Sequence, residues 1–177
     1  NALVELKRKG VFIEITDLVV PKYGDDLDKA RKLARWIVEN LGPETPVHFL
    51  RFHPDYQVMD LPSTPIKTLE KHIDVAINEG LRHVYIGNVP GHKFENTYCP
   101  NCGRVVIRRM GFDILNVDLT EDLRCPSCRY KINIAGRVYP TYKLERFVYI
   151  PLEAFTEFVH IKPDSLRDFV LYGKRSG

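Results

Sequence analysis

Along residues 1–90 the spacing of apolar positions switches between a helical period and short unbroken runs, and each switch marks an element. In ALVELKRKG, Leu3, Val4 and Leu6 read as the last turns of a helix stopped by Gly10. A helix tail at the very first residue is the pattern expected of a truncated chain. VFIEITDLVV follows, rich in β-branched residues between Gly10 and Pro21, and predicts a buried strand over residues 11–15 or a little longer. Over residues 25–41, Leu27, Ala30, Leu33, Ala34, Ile37, Val38 and Leu41 fall on one helical face, with Asp25 or Asp26 as the cap and Gly42-Pro43 as the stop. PVHFLRF is a second strand. Thr64-Pro65 then supplies an N-cap and first-turn pair for a helix expected to bury Ile66, Leu69, Ile73, Ala76 and Ile77 and to stop at Gly80. HVYIGNV is the third strand. Strands alternating with helices in this way predict a parallel sheet with right-handed crossovers.

After Pro90-Gly91 the texture changes to short strands and cysteines, and helical periodicity is lost until about Pro151. The tail reads as a strand over residues 142–150 and one or two short helices over 151–172, with Phe155, Phe158, Val159, Leu166, Phe169 and Val170 as their apolar face. The expected organisation is therefore an α/β unit at 1–91, a cysteine module at 92–138 and an extension at 139–177.

Composition changes this picture little. Apolar residues are 44% and charged residues 28% of the 177, and the net charge of +3 gives electrostatics no strong claim on nucleic acid. Lys7-Arg8-Lys9 and Arg108-Arg109 are short enough to read as solvated surface. No apolar run approaches the roughly 20 residues that span a bilayer, and residues 1–10 lack a signal-peptide pattern. A cytoplasmic location is expected, where thiols stay reduced.

In that setting the four cysteines read as metal ligands. TyrCysProAsnCysGly and ArgCysProSerCysArg are two knuckles separated by 22 residues, and in each the two thiolates converge on one side of a tight turn. Cys99, Cys102, Cys125 and Cys128 together make a tetrahedral sulfur site suited to structural zinc, with rubredoxin-like iron as the main metal alternative. Disulfides or a thiol redox pair fit less well, because neither knuckle precedes a helix. RVVIRR and FDILNVDL supply the hairpin of a zinc ribbon. Four thiolates leave no open position, so the metal is a staple and not a catalyst. His92, seven residues before Cys99, reads as a loop histidine.

Several consecutive stretches resemble a known family. VFIEITDLVVP, PVHFLRFHPDYQVMDLPSTP, EGLRHVYIGNVPG and NTYCPNCGRVVIRR, with the second knuckle, look like the C-terminal part of the AmmeMemoRadiSam-system radical S-adenosylmethionine enzymes, relatives of pyruvate formate-lyase activating enzyme. The likeness covers residues 10 to about 136 and leaves 140–177 without a counterpart. It implies a partial parallel β/α barrel, with the three strands above as its last three β/α units. In that family a Cys-x-x-x-Cys-x-x-Cys loop holds a [4Fe-4S] cluster that cleaves S-adenosylmethionine to a 5′-deoxyadenosyl radical. No such loop occurs here. The chain is thus expected to be the C-terminal portion of such an enzyme, not catalytic alone, whose partners are the missing N-terminal half of the barrel and a protein substrate.

Ligands of parallel α/β folds bind at the carboxyl ends of the strands. Those ends carry Glu14, Thr16 and Asp17, then Arg51 and His53, then Gly87 and Asn88. By the resemblance, Glu14 and Thr16 are ribose-side candidates and Ile86, Gly87 and Asn88 adenine-side candidates, while His48 and Arg51 face ligand or substrate. Structural readings stand beside these: Glu14 paired with Arg51 between strands, Asn88 satisfying loop backbone, and Gly87 needed for the turn. A different class of function is a non-catalytic ribbon adaptor binding protein or nucleic acid through Arg104, Arg108, Arg109, Arg124, Arg129 and Lys131.

Overall fold

The fold is built on two three-stranded sheets of opposite kind. The computed structural model describes residues 2–136, so the strand and helices expected in the 139–177 extension lie outside the described residues. Helix α1 (Ala2–Arg8) leads by an extended stretch into β1 (Ile15–Val19), followed by α2 (Leu27–Leu41), β2 (Val47–Arg51), α3 (Ile66–Asn78) and β3 (Val84–Gly87). The three strands are parallel in the order β1-β2-β3.

The first strand begins four residues later than its sequence suggests. Residues 11–14 lie outside the ladder, because the neighbouring strand starts only at Val47, preceded by Pro46, which has no N–H to give. The ladder opens with Ile15 N–H donating to Pro46 O at 2.9 Å.

Period-two alternation sorts the strand side chains. Val47, Phe49, Val84 and Ile86 are buried, together with Val19, beneath Ala34, Ile37 and Leu41 of α2 and Leu69, Ile73 and Ala76 of α3. Asp26 caps α2, its carboxylate accepting from the Asp28 and Lys29 N–H groups, and Gly42 ends the helix at φ 92°. Two expectations for α3 change. Ile77 is 48% exposed, and His72 takes a buried place instead, its ring edge-on to Phe49. Thr64 does not cap the helix. Its hydroxyl is buried between β1 and β2, accepting from Phe52 N–H at 3.1 Å and donating to Val19 O at 2.5 Å, which ties the carboxyl ends of the two strands together. Pro65, with φ −60°, sets the entry angle into α3 without any side-chain cap.

Helices α2 and α3 cover the same face of the sheet and pack on each other, and among the described residues no helix covers the face of Thr16, Leu18, His48, Leu50, Tyr85 and Gly87. After β3 a single 3-10 turn (Lys93–Glu95) leads into the second sheet, antiparallel β4 (Thr97–Tyr98), β5 (Val105–Met110) and β6 (Asp113–Val117). The β5–β6 ladder carries a bulge between Arg108 and Arg109. A small core of Val106, Ile132, Cys99 and Cys125 underlies this module.

Candidate functional site

Each knuckle is the same backbone turn. In the first, Gly103 N–H donates to Cys99 O at 2.8 Å and Cys99 N–H to Arg104 O at 2.8 Å. In the second, Arg129 N–H donates to Cys125 O and Cys125 N–H to Tyr130 O, both at 2.9 Å. The residue after each second cysteine is left-handed, Gly103 at φ 73° and Arg129 at φ 63°, a conformation free of cost only for glycine. The turns face each other. Cys99 Sγ lies 3.4 Å from Cys128 Sγ and Cys102 Sγ 3.6 Å from Cys125 Sγ, and all four sulfurs fall within 4.8 Å of one another.

These separations are too long for disulfides, whose sulfurs bond at about 2.0 Å. They match the edges of a tetrahedron around an ion with metal–sulfur bonds of about 2.3 Å, roughly 3.8 Å. The donor set therefore fits one metal ion. The thiols differ sharply without it: burial pushes Cys99 up to about 12, while the Asn101 side chain and the Tyr130 N–H hold Cys128 down to about 6. A dication at the centre removes the repulsion that keeps four thiolates from coexisting. His92 is not part of this set. It caps the 3-10 turn by accepting from Phe94 N–H and pairs with Glu70 at 3.4 Å.

A cavity of about 660 Å³ opens between the helix-free face of the parallel sheet and the β5–β6 hairpin. Its floor is His48, Leu50, Tyr85 and Gly87, and its opposite wall Arg109, Gly111 and Phe112. The His48 and Tyr85 rings stack, with centroids 4.8 Å apart at 18°, as adjacent positions of the β2–β3 register. Glu14 closes one side, its carboxylate 3.2 Å from His48 Nε2. The approach is electrostatic, since the ring nitrogen makes no aligned hydrogen bond. Burial holds His48 below the usual histidine range, against the pull of Glu14 and with the help of Arg109. Burial also raises the Tyr85 phenol, whose oxygen lies 3.1 Å from Thr97 Oγ1.

The residues singled out by sequence separate into two groups. Glu14, His48, Gly87 and Asn88 line the cavity. Thr16 is on the same sheet face, in register with His48, but exposed outside the cavity, and His53 is exposed beside Ser63. Arg51 alternates to the helix side and donates from Nε to Thr64 O at 2.9 Å. The pair expected between Glu14 and Arg51 is replaced by Glu14 and His48, because residues 48 and 51 point to opposite faces of one strand. Asn88 does satisfy backbone, donating to Arg51 O at 3.1 Å, and itself takes the left-handed turn position at φ 61°. Gly87 serves close approach instead: a Cβ there would stand 2.3 Å from Leu50 Cδ2.

Much of the basic surface expected around the knuckles is paired. Arg104 meets Asp118 at 2.6 Å, and Arg124 and Arg129 meet Asp122 at 2.7 and 3.8 Å.

With this geometry in view, one relative is informative. The chain is similar to the uncharacterized protein MJ0808 of Methanocaldococcus jannaschii. The two are 52% identical over 130 residues, which is 72% of this chain and 39% of the relative, so the chain spans well under half of that protein's length. No family model matches the chain. No solved structure matches it either.

Tyr85 and Glu95 escaped the sequence reading, which placed Arg109 only on the solvated surface or the basic face of the ribbon. Tyr85 follows from the parallel register that sets it beside His48. Glu95 is buried, its carboxylate accepting from Gly91 N–H at 2.6 Å and Gly111 N–H at 3.0 Å, and burial raises its pKa against those bonds. It thereby fastens the hairpin tip to the loop after β3. At another point the second knuckle is held to the sheet by Glu44, whose carboxylate accepts from Arg82, from Tyr130 at 2.5 Å and lies 3.0 Å from His83 Nε2. Glu44 O also accepts from Asn133 at 2.7 Å. Among the described residues no helix is long and apolar enough to cross a membrane.

Proposed function

We propose that this chain is the C-terminal portion of a radical S-adenosylmethionine enzyme, acting in the cytoplasm, in which the helix-free sheet face and a zinc ribbon enclose the ligand cavity. The observation that carries the reading is the cavity itself. Among the described residues the helices of the parallel sheet cover one face only, as in a strand-by-strand wound barrel, and the open face mixes polar His48 and Tyr85 with apolar Leu50. On this reading β1, β2 and β3 are the last three units of a partial barrel, and the missing N-terminal half completes the wall.

Zinc is the metal that suits the ribbon, since four sulfurs at tetrahedral separations leave no open position. The same four thiols are all the cysteines the chain has, so it offers no ligands for a [4Fe-4S] cluster. Cluster ligation belongs to the remainder of the parent, and no step is assigned to the cluster here. Within the cavity Glu14 and Asn88 would hold the ribose and adenine sides of S-adenosylmethionine. His48 and Tyr85 would present the substrate side, with a protein as the substrate expected. The alternative of a ribbon adaptor draws less support, because half of its basic residues, Arg104, Arg124 and Arg129, already face carboxylates.

The test uses the full-length parent, reconstituted anaerobically with iron and sulfide and reduced with dithionite. It is expected to release 5′-deoxyadenosine from S-adenosylmethionine, with Glu14→Gln raising the S-adenosylmethionine requirement. The present chain alone is expected to bind zinc and release none. A full-length parent that neither binds nor cleaves S-adenosylmethionine would sink the reading, as would cleavage by this chain alone.

A further inference from the structure

Arg109 stands apart from the carboxylate-paired arginines of the ribbon and from the exposed Arg108. Arg104, Arg124 and Arg129 each meet a carboxylate. Arg109 is partly buried on the cavity wall, and its side-chain hydrogen bonds go to neutral oxygens, Thr97 Oγ1 at 2.6 Å and Glu95 O at 3.3 Å. Its guanidinium carbon lies 5.7 Å from the centre of the Tyr85 ring. The Glu95 carboxylate, held by the Gly91 and Gly111 N–H groups, feels this charge across space and makes no ion contact with it. Glu14 pairs with His48.

A cation withdrawn from water is costly unless an anion meets it. Here its Nη1 is fixed in place by bonds to Thr97 and Glu95, and the guanidinium lies beside the Tyr85 ring at the cavity wall. A planar fork of this kind suits the two oxygens of a carboxylate or phosphate. Of the two acids that line the cavity, Glu14 is matched to His48 and Glu95 to backbone N–H groups, so neither makes an ion pair with Arg109 among the described residues. We infer that the expected protein substrate presents an anionic group, a carboxylate or phosphate, that is bound by Arg109 of the ribbon hairpin. The inference deepens the proposed function and rests on it for the cavity being the ligand site. It makes the ribbon a wall that reads the substrate as well as a staple.

The experiment is a nuclear magnetic resonance titration of the metal-loaded chain with inorganic phosphate and, separately, acetate, at constant ionic strength. The Arg109 side-chain Nε–H and the Gly87 and Gly111 amides are followed. At least one of the two anions is expected to shift these signals saturably, and the stronger of the two identifies the headgroup. Arg109→Gln weakens that binding roughly tenfold or more, while Arg109→Lys retains part of it. In the full-length parent, Arg109→Gln leaves S-adenosylmethionine affinity unchanged.

Absence of any saturable shift from both anions overturns the inference, as do shifts that persist undiminished in Arg109→Gln. An equal loss of S-adenosylmethionine affinity in Arg109→Gln overturns the substrate assignment by moving the residue to the cosubstrate. Anion binding that depends on Arg109 in a parent without S-adenosylmethionine cleavage counts against the proposed function alone.

Discussion

Glu44 and Tyr130 lie 86 positions apart in the chain and share a hydrogen bond of 2.5 Å, which joins the start of β2 to the second cysteine knuckle. Arg82 donates to both of them and His83 meets the other Glu44 oxygen, so the joint is a network of four side chains. Burial opposes the charge of Glu44, yet the bonds from Tyr130, Arg82 and His83 hold its pKa below the ordinary carboxylate range. The native joint therefore contains an ionised Glu44.

A double-mutant cycle between Glu44→Ala and Tyr130→Phe measures this joint. Hydrogen bonds to a charged group contribute about 1.5–3 kcal/mol when sheltered, and partial exposure here lowers the expected coupling to about 1 kcal/mol. Urea denaturation of the four proteins gives the value. Coupling within about 0.3 kcal/mol of zero would show that the two modules are not fastened at this point.

The cysteine cluster makes a separate claim about metal. Purified chain is expected to carry one metal ion, and Cys99→Ser or Cys125→Ser to lower its affinity by more than the roughly 10–100-fold typical of changes behind the ligands. Those variants lose the antiparallel module, whose small core includes Cys99 and Cys125, while the larger core of the parallel sheet contains neither. Elemental analysis with amide exchange reads both effects. A cysteine variant that keeps its full metal content would contradict the four-sulfur assignment.

The cavity can be probed through His48. Burial lowers its pKa, Glu14 raises it and Arg109 lowers it further. Replacing Glu14 by Gln removes the raising influence, so the ring should titrate at lower pH than in the parent protein. Replacing Arg109 by Gln removes a lowering influence and moves the midpoint the other way. Imidazole proton resonances followed against pH give both midpoints. Shifts of the same sign in the two variants would mean that His48 does not lie between these charges.

Much of this molecule can be read from its residues, and the boundary of what can be read has physical causes. Helix α2 follows from its three-and-four spacing because every buried position on it is apolar. Ile77 misleads because the same spacing holds on a face that reaches solvent, while His72 is buried with Nδ1 bonded to Thr68 O at 2.8 Å and Nε2 without a hydrogen-bond partner among the described residues. The knuckles declare their ligands because two thiolates at that spacing have few other uses. The pairing of Glu14 with His48 is not visible, since it depends on where the extended residues ahead of β1 lie against β2. Arg109 is hidden for a related reason: the bulge beside it breaks the alternation by which a strand residue is assigned to a face.

The two modules are joined at separate places, by Glu44 with Tyr130 and Asn133, by Tyr85 with Thr97, and by Glu95 with Gly91 and Gly111. None of these fasteners uses the side chain of Phe112, which is 94% exposed at the mouth of the cavity. The rim is thus mechanically idle. Its residue can be exchanged for another size or polarity without loosening the anchorage, so evolution is free to retune which molecules enter while the frame stays the same.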